Sequence, residues 1–359
     1  GPSPSGPDMR QRALGSSGFD VPVLVLGAYP LGGTNWGSRD DDEALRALRV
    51  AFDGGMTAVD TAPVYGFGHS EELVGRALAG REDVRVLSKV GLRWDADHGR
   101  LAYRALDANG QLRSVHHDGR PKSVQQEVEQ SLRRLQRERL DLVQLHAPDP
   151  DVPVGETVGA LAALVDAGKV RAIGTSNLSL EQMTQAHGSL RDVGGLTSEQ
   201  LHFSLLTRGA EEDRLPWAAA NEVGVLAYSP LDQGLLAGAV PADRKFPKGD
   251  KRAGRATFQP ENRRRINAIL SDVVRPIADG HGATLAQTVL AWTIDVPGIT
   301  AVLAGARTER HVQENLRAGT LELSEEERAT IGRAFAGFEL QAPKTQGLMA
   351  RVFGKLRGR

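Results

Sequence analysis

Short runs of apolar residues recur along this chain, and each is followed by a stretch with helical periodicity. The runs are rich in Val, Leu and Ile, as expected for parallel strands that are buried on both faces. They predict eight strands: Val23 to Gly27, Thr57 to Asp60, Val84 to Lys89, Asp141 to His146, Val170 to Gly174, Leu196 to Gln200, Val225 to Tyr228 and Ile299 to Leu303.

Apolar residues spaced three or four apart predict helices over residues 40–54, 124–136 and 156–168. Strands that alternate with helices form a parallel sheet with crossover connections. Eight such units favour an α/β fold of the (β/α)8 TIM barrel type, a single domain with long active-site loops. The pattern alone also permits an open, doubly wound sheet with extra strands.

Two segments are too long for ordinary strand-to-helix connections. Residues 93–121 contain Asn109-Gly110, a strong tight-turn signal that predicts a small hairpin. Residues 236–259 are polar and are predicted to form a second long loop. Long loops on a barrel usually serve the active-site face, so we expect both to shape the substrate pocket.

The ends of the chain differ in composition from its middle. Residues 1–9 are rich in Gly, Pro and Ser and are expected to be disordered or left over from cloning. Residues 10–338 carry the barrel pattern. Residues 339–359 form a basic tail in which Leu348, Val352 and Leu356 recur every fourth residue, as in a weak amphipathic helix.

Composition narrows the class of protein. Of the 359 residues, 40% are hydrophobic and 25% are charged, and the net charge is -1, so no global field favours nucleic acid or membrane lipid. The chain has no cysteine, which excludes disulfides, thiolate catalysis and Cys-based metal sites. No apolar run approaches the length of a membrane span. We expect a cytoplasmic monomer or weak homo-oligomer without nucleic-acid or membrane partners.

Titratable residues stand at the ends of three successive predicted strands. Asp60 ends the second strand, Lys89 ends the third and His146 ends the fourth, and Tyr65 follows Asp60 closely. In a barrel enzyme the carboxyl ends of the strands carry the functional groups. We therefore predict that Asp60, Tyr65, Lys89 and His146 form one catalytic group.

These four side chains suit hydride transfer to a carbonyl. A buried carboxylate and ammonium need each other, since neither is easily desolvated alone. A tyrosine beside the ammonium is expected to have its pKa lowered from about 10 and to protonate a carbonyl oxygen. A neutral imidazole of His146 would hold that oxygen. Lys89 could alternatively be the Schiff-base nucleophile of a barrel aldolase.

The motifs around these residues resemble the aldo-keto reductase superfamily over residues 10 to 338. Asp60-Thr61-Ala62-Pro63-Val64-Tyr65-Gly66 with Ser70-Glu71-Glu72 resembles the family signature. The resemblance extends to three cofactor segments, at residues 174–177, 228–231 and 305–308. The pattern looks most like the bacterial inositol-related and general-stress groups, and more distantly like potassium-channel β-subunits.

The resemblance implies roles for individual residues. Tyr65 would be the general acid/base, Lys89 would lower its pKa, Asp60 would pair with Lys89, and His146 would orient the substrate. Arg307 and Thr308 would meet an adenosine 2′-phosphate, which favours NADP(H), with NAD(H) as the alternative. No metal is implied. The implied cofactor-binding residues are Ala28, Tyr29, Ser176, Asn177, Gln200, Tyr228, Ser229, Pro230, Leu231, Gln233, Leu235, Arg252, Gly305, Arg307, Thr308, His311, Glu314 and Asn315.

Several positions depart from the family pattern. Ala304 stands where Pro is usual, His311 where Gln or Arg often contacts the nucleotide, and Ala239 where a Lys is common. We expect Arg252 or Lys245 to replace part of the missing charge. These departures bear on cofactor affinity and leave the four catalytic positions intact.

Three further features leave alternatives open. Tyr29 and Trp94 either line an apolar substrate pocket or only pack, and Trp36 also lies near the predicted mouth. Adjacent His116 and His117 are more typical of a solvated loop than of a metal site. A nucleotide-sensing binding subunit with little turnover, like the channel β-subunits, is the alternative function.

Overall fold

We describe a computed structural model of the chain, which covers residues 9–32, 40–247 and 250–341. Within these ranges the chain divides into two compact units. The first contains the residues up to Pro230 together with Thr293–Glu322, and the second contains Leu231–Trp292 and the residues from Leu323 onward. Residues 342–359 of the basic tail, Trp36 and residues 1–8 lie outside the described residues.

The first unit is built around a closed parallel barrel. Strands β1 (Gln11–Ala13) and β2 (Asp20–Pro22) first pair as an antiparallel hairpin. The barrel strands are β3 (Leu24–Gly27), β4 (Ala58–Asp60), β5 (Arg85–Val90), β9 (Leu140–Leu145), β10 (Val170–Ser176), β11 (Ser198–His202), β12 (Gly224–Tyr228) and β13 (Ala301–Gly305). They close in the order β10-β11-β12-β13-β3-β4-β5-β9. The prediction of a (β/α)8 barrel is confirmed, and the open sheet is excluded.

Helices follow the barrel strands of the first unit. They are α1 (Asp41–Asp53), α2 (His69–Ala77), α3 (Pro121–Leu135), α4 (Val154–Asp166), α5 (Leu180–Ser189), α6 (Arg214–Ala220) and α10 (Glu309–Ala318). Their ends follow from local chemistry: the Asp40 side chain accepts from the Glu43 N–H at the start of α1, and Ser179 and Gln182 form a capping box on α5. Helix α3 begins three residues before the predicted start, because Pro121 occupies its first turn.

The second unit is helical. It contains α7 (Pro260–Ile269), α8 (Arg275–Gly280), α11 (Glu325–Phe335) and all but the last two residues of α9 (Leu285–Ile294). A π-helical segment, Leu270–Val274, joins α7 to α8, whose first turn contains a proline. The polar segment predicted as a loop contains short 3₁₀ turns at Leu235–Ala237, Lys251–Gly254 and Ala256–Phe258.

One end of the barrel is closed by the N-terminal hairpin. Leu14, Phe19 and Val21 from the hairpin pack in one buried cluster with inward-facing strand residues such as Leu87 and Leu142. Since this hairpin leads directly into β3, it covers the amino ends of the strands. The polar residues named above therefore lie at the opposite end, where the strands have their carboxyl ends.

The long connection after β5 forms its own small sheet. Strands β6 (Leu92–Arg93), β7 (Leu101–Leu106) and β8 (Leu112–His117) pair in the order β6-β8-β7. The turn between β7 and β8 contains Asn109-Gly110, so the predicted hairpin is confirmed. In the part of the chain that the structure describes, no helix is long and apolar enough to span a bilayer.

Candidate active site

Asp60, Lys89 and Tyr65 meet at the carboxyl end of the barrel strands. The Lys89 Nζ donates to Asp60 Oδ1 at 2.5 Å, to the Tyr65 hydroxyl at 3.2 Å and to the Thr61 carbonyl at 3.0 Å. Asp60 and Lys89 are each 1% exposed. A charged pair buried this deeply persists only when each partner is fully hydrogen-bonded. The ammonium therefore links the carboxylate to the phenol.

A tight turn places Tyr65 over Lys89. Gly66 has a φ of +61°, and a Cβ there would lie 2.2 Å from the Gly32 carbonyl oxygen, so no other residue fits. The Tyr65 ring lies edge-on to Tyr29, with 5.0 Å between ring centroids. The Lys89 Nζ lies 4.9 Å from the centroid of the Tyr65 ring.

His146 directly follows β9 and joins the same group. Its ring is perpendicular to that of Tyr65, with 5.8 Å between centroids. Burial, together with the nearby charges of Lys89 and His117, holds the pKa of His146 well below its usual value. The imidazole is therefore neutral near pH 7 and can donate or accept a hydrogen bond.

The pKa of Tyr65 corrects one expectation. Burial raises the pKa of Tyr65 above its usual value, and the Lys89 ammonium lowers it by less than burial raises it. The expected net lowering is therefore wrong, although Lys89 acts in the predicted direction. Burial is the largest single effect on Lys89 and lowers its pKa, but the charges and hydrogen bonds of Asp60 and Tyr65 together raise that pKa above its usual value, so Lys89 stays protonated.

Two glutamines complete the surroundings of Asp60. The amide nitrogens of Gln144 and Gln200 donate to Asp60 Oδ2 at 3.0 and 2.9 Å. The resemblance implied a cofactor contact for Gln200, whereas no motif pointed to Gln144. Its position two residues before His146, on the inward side of β9, is the signal that could have found it.

Ser176, Asn177 and Tyr228 lie together at the ends of β10 and β12. The Tyr228 hydroxyl donates to Asn177 Oδ1 at 2.6 Å, and Asn177 Nδ2 donates to the His146 carbonyl at 3.0 Å. The partly buried Tyr228 ring stacks on His202, at 5.5 Å between centroids and 17° between planes. Amide and hydroxyl groups beside a flat aromatic ring fit a nicotinamide carboxamide and ring.

The backbone at these strand ends is strained. Asn177 and Ser229 have φ values of 61° and 52°, in the left-handed region that residues other than glycine rarely adopt. Such strain is concentrated at ligand-binding sites. Buried Glu199 anchors the turn after β10 by accepting from the Leu178 N–H at 2.8 Å, and burial raises the pKa of Glu199 to about 8.

The predicted adenosine-side residues lie after β13, at the start of α10. Thr308 caps α10 by accepting from the His311 N–H, and Asn315 Nδ2 donates to the Gly305 carbonyl at 3.3 Å. Helix starts favour anions, because the first N–H groups and the helix dipole point towards them. Arg307 directly precedes this cap. Where β13 pairs with β3, Gly305 lies opposite Gly27. The next residue, Ala28, donates its N–H to the Asp60 carbonyl.

Three predicted cofactor residues, Leu231, Gln233 and Leu235, lie in a turn of the second unit. Asp232, Gln233 and Gly234 have φ values of 46°, 57° and 88°, and Leu235 is fully buried. The contact of these residues with a pyrophosphate stays a prediction. The same holds for Pro230, which directly precedes Leu231 and belongs to the first unit.

Arg252, also in the second unit, pairs with Asp250 at 2.7 Å. This pairing lowers the pKa of Asp250 to about 2. The Arg252 charge is therefore already matched by a carboxylate, which weakens the expectation that it replaces the missing lysine.

The hairpin after β5 borders the catalytic group. Its Val115 packs in a buried cluster with Val64 and Leu92, against Tyr65. Tyr103 pairs with Val115 and His117 pairs with Leu92, and paired residues share a face of the sheet. Tyr103 and His117 therefore face the catalytic side, and sequence reasoning assigned neither to the pocket.

Trp94 packs on Phe67, at 5.7 Å between ring centroids, and below the Arg134 guanidinium at 5.8 Å. These contacts show Trp94 packed against other side chains of the protein. The Tyr29 side chain, by contrast, is 41% exposed and lies beside Tyr65. The pocket roles of both stay predictions. Within the described ranges, no group of three or more His, Asp and Glu side chains is arranged to hold a metal ion.

Comparison with known families identifies the class of protein. The profile of the Aldo/keto reductase family matches residues 23–335. The chain is 35% identical over 302 residues to the aldo-keto reductase YhdN of Bacillus subtilis, covering 83% of this chain and 85% of that protein. It is 32% identical over 335 residues to an NADH-specific methylglyoxal reductase of Escherichia coli, covering 91% and 98%.

Solved structures agree with this comparison. The glycerol dehydrogenase AKR11B4 of Gluconobacter oxydans superposes with a TM-score of 0.80 at 34% identity, covering 94% of this chain and 97% of that one. An aldo/keto reductase of Klebsiella pneumoniae, solved with NADP and acetate, gives 0.67 at 29% identity, covering 92% and 97%. This chain belongs to the aldo/keto reductase family, whose members are oxidoreductases that interconvert carbonyls and alcohols with a nicotinamide nucleotide.

Proposed function

We propose that this enzyme reduces small aldehydes or ketones, or oxidises the corresponding sugars or alcohols, with NADP(H) and with Tyr65 as general acid/base. The observation that carries the proposal is the buried chain of contacts from Asp60 through Lys89 to the Tyr65 hydroxyl. A phenol held 3.2 Å from an ammonium can release a proton and recover it without losing its position.

Each catalytic side chain has a separate task in this proposal. Tyr65 is protonated at neutral pH, since burial raises its pKa above the usual value of about 10, so its hydroxyl can protonate a carbonyl oxygen. Lys89 stays charged and stabilises the phenolate that remains. Neutral His146 donates a hydrogen bond to the same oxygen and orients it. Asp60 keeps Lys89 protonated inside the barrel.

The residues at the strand ends fit the cofactor. Asn177, Ser176 and Gln200 would hold the carboxamide and Tyr228 would lie against the ring. Arg307 and Thr308, at the start of α10, would bind the 2′-phosphate of NADP(H). The bound nicotinamide supplies or accepts the hydride. One relative is NADH-specific by name, and the structure of another relative contains NADP, so membership of the family does not decide between the two nucleotides. The preference for NADP(H) that we propose therefore rests on Arg307.

The alternative functions have less support. The potassium-channel β-subunits usually lack a histidine at the position of His146. In this chain the histidine is present and its ring lies beside that of Tyr65, which favours an enzyme. A Schiff-base role for Lys89 needs a neutral amine, but Asp60 holds the ammonium charged. The finer resemblance to the inositol-related and general-stress groups, the cytoplasmic location, the domain limits and the monomeric state stay predictions.

The test is a titration of NADPH and NADH by quenching of tryptophan fluorescence. We expect wild type to bind NADPH more tightly than NADH, and Arg307→Ala to lose about 1.5–3 kcal/mol of NADPH binding, the range for hydrogen bonds to a charged group. NADH binding should change little, which makes it the internal control. Equal affinity of the variant and wild type for NADPH would refute the role of Arg307, and absence of binding by both nucleotides would refute the function.

A further inference from the structure

Asp60 is held by more than its partner Lys89. Its Oδ1 accepts from Lys89, whereas its Oδ2 accepts from the amides of Gln144 on β9 and Gln200 on β11. Gln144 is fully buried and Gln200 is 3% exposed. Two uncharged donors are thus aimed at the oxygen that Lys89 does not contact.

The two amides also fix each other. Gln200 Nε2 donates to Gln144 Oε1 at 3.0 Å as well as to Asp60, and Gln144 Nε2 donates to the Ser88 carbonyl at 3.3 Å as well as to Asp60. Each amide nitrogen therefore has both of its hydrogens committed. A network in which every donor is used holds one arrangement of its side chains.

This arrangement determines which oxygen of the Asp60 carboxylate accepts a hydrogen bond from Lys89. With Oδ2 occupied by the amides, the carboxylate presents only Oδ1 to Lys89, and the ammonium can also reach the Tyr65 hydroxyl. Without the amides, Oδ2 would be a buried acceptor with no donor, which costs free energy. The carboxylate would then turn to offer both oxygens to Lys89 and draw its Nζ away from Tyr65.

We propose that Gln144 is a positioning residue of the reaction, which acts through Asp60 and Gln200 to hold Lys89 against the Tyr65 hydroxyl. The inference rests on the proposed function of Tyr65 and adds a residue that touches neither substrate nor cofactor in that scheme. Because the amides withdraw negative charge from Asp60, their loss increases the negative field at Tyr65 and makes its proton harder to remove.

The test compares Gln144→Met, which keeps the length of the side chain without its donors, with Ser198→Ala. Ser198 is a matched control, since it is fully buried on β11, two strands away from β9 in the barrel, and its hydroxyl has no partner among the described residues. We expect Gln144→Met to lower kcat by about 10- to 100-fold, the equivalent of one or two hydrogen bonds to a charged group. KM should change far less than kcat.

The pH profile separates positioning from a packing defect. In alcohol oxidation, Gln144→Met should move the alkaline pKa of kcat upward by on the order of one unit, whereas Ser198→Ala should leave it in place. An unchanged profile, or a loss of kcat no larger than that of Ser198→Ala, would overturn the proposal. Inactive wild type would instead refute the proposed function.

A second variant keeps the test decisive if Gln144→Met does not fold. Gln144→Glu preserves the shape, and its introduced carboxyl group has one O–H donor when protonated and repels Asp60 when ionised. We therefore expect its kcat for carbonyl reduction to recover towards that of wild type as the pH falls. The proposal is overturned if this variant follows the wild-type profile at every pH.

Discussion

At the scale of single residues, the chemistry depends on two opposing effects on one phenol. Burial raises the pKa of Tyr65 and the Lys89 ammonium lowers it, with burial the larger effect. Tyr65 is therefore held as a proton donor rather than a phenolate. Reduction of a carbonyl needs this protonated form, whereas oxidation of an alcohol needs the deprotonated form.

The two reaction directions should accordingly differ in pH dependence. We expect kcat for carbonyl reduction to stay level from about pH 7 to 9, because the pKa of Tyr65 lies above its usual value of about 10. In the same range kcat for alcohol oxidation should rise with pH. Neutral His146 should add no inflection near pH 6.5. A fall of the reduction rate between pH 7 and 9 would contradict this assignment.

At the scale of the elements, the catalytic strands are fixed by helices that pack very closely. Gly75 lies in α2, where an added Cβ would be 2.4 Å from the Arg134 carbonyl oxygen of α3. Glu71 on the same helix accepts from Arg134 at 2.7 Å and from the Ser88 hydroxyl at 2.6 Å, next to Lys89. The contact between α2 and α3 therefore supports the strand that carries Lys89.

Two glycine substitutions test this close contact. An alanine in a helix is normally about 0.5–1 kcal/mol more stable than glycine. We expect Gly159→Ala, at an exposed position of α4 with nothing within 4 Å, to raise Tm accordingly. Gly75→Ala should instead destabilise by about 1–3 kcal/mol, because the backbone of α3 must move. The explanation fails if thermal unfolding shows the two variants shifted in the same direction.

At the scale of the whole molecule, the net charge of -1 gives no general attraction for a phosphorylated nucleotide. Affinity must come from local groups such as Arg307 and the capped start of α10. A ligand that binds only the folded chain raises its free energy of unfolding, by about 2.7 kcal/mol at 100 times Kd.

We therefore expect saturating NADPH to raise Tm of the wild type by several degrees, since about 1 kcal/mol corresponds to roughly 2–4 °C in chains of this order of size. Arg307→Ala should show a smaller rise at the same NADPH concentration and an unchanged Tm without nucleotide. A differential scanning measurement with NADPH, NADH and inorganic phosphate separates these cases. A rise that phosphate reproduces in full would contradict a specific nucleotide site.

The sequence predicts much of this molecule because its signals are local. The eight strands appear as apolar runs, and their ends lie within two residues of the predicted positions. Asp60 ends β4, Lys89 is the last residue but one of β5, and His146 directly follows β9. The parallel order of the barrel therefore suffices to bring them together.

The features that the sequence did not predict depend on side-chain packing across distant segments. Gln144 resembles any polar residue until the barrel places its amide on Asp60. The pairing of β7 with β8, not their composition, turns Tyr103 towards the site. The pKa of Tyr65 depends mainly on how deeply its side chain is buried, and a sequence motif does not reveal that burial.

The most direct test of the proposed mechanism is the rate of NADPH oxidation with a small aldehyde, measured for wild type and Tyr65→Phe. Loss of one hydroxyl should lower kcat by about 10²–10⁴-fold, the contribution of a general acid, while the Kd for NADPH stays close to that of wild type. If Tyr65→Phe keeps the wild-type rate, Tyr65 is not the proton donor, and the assignment of the whole group around Lys89 is wrong.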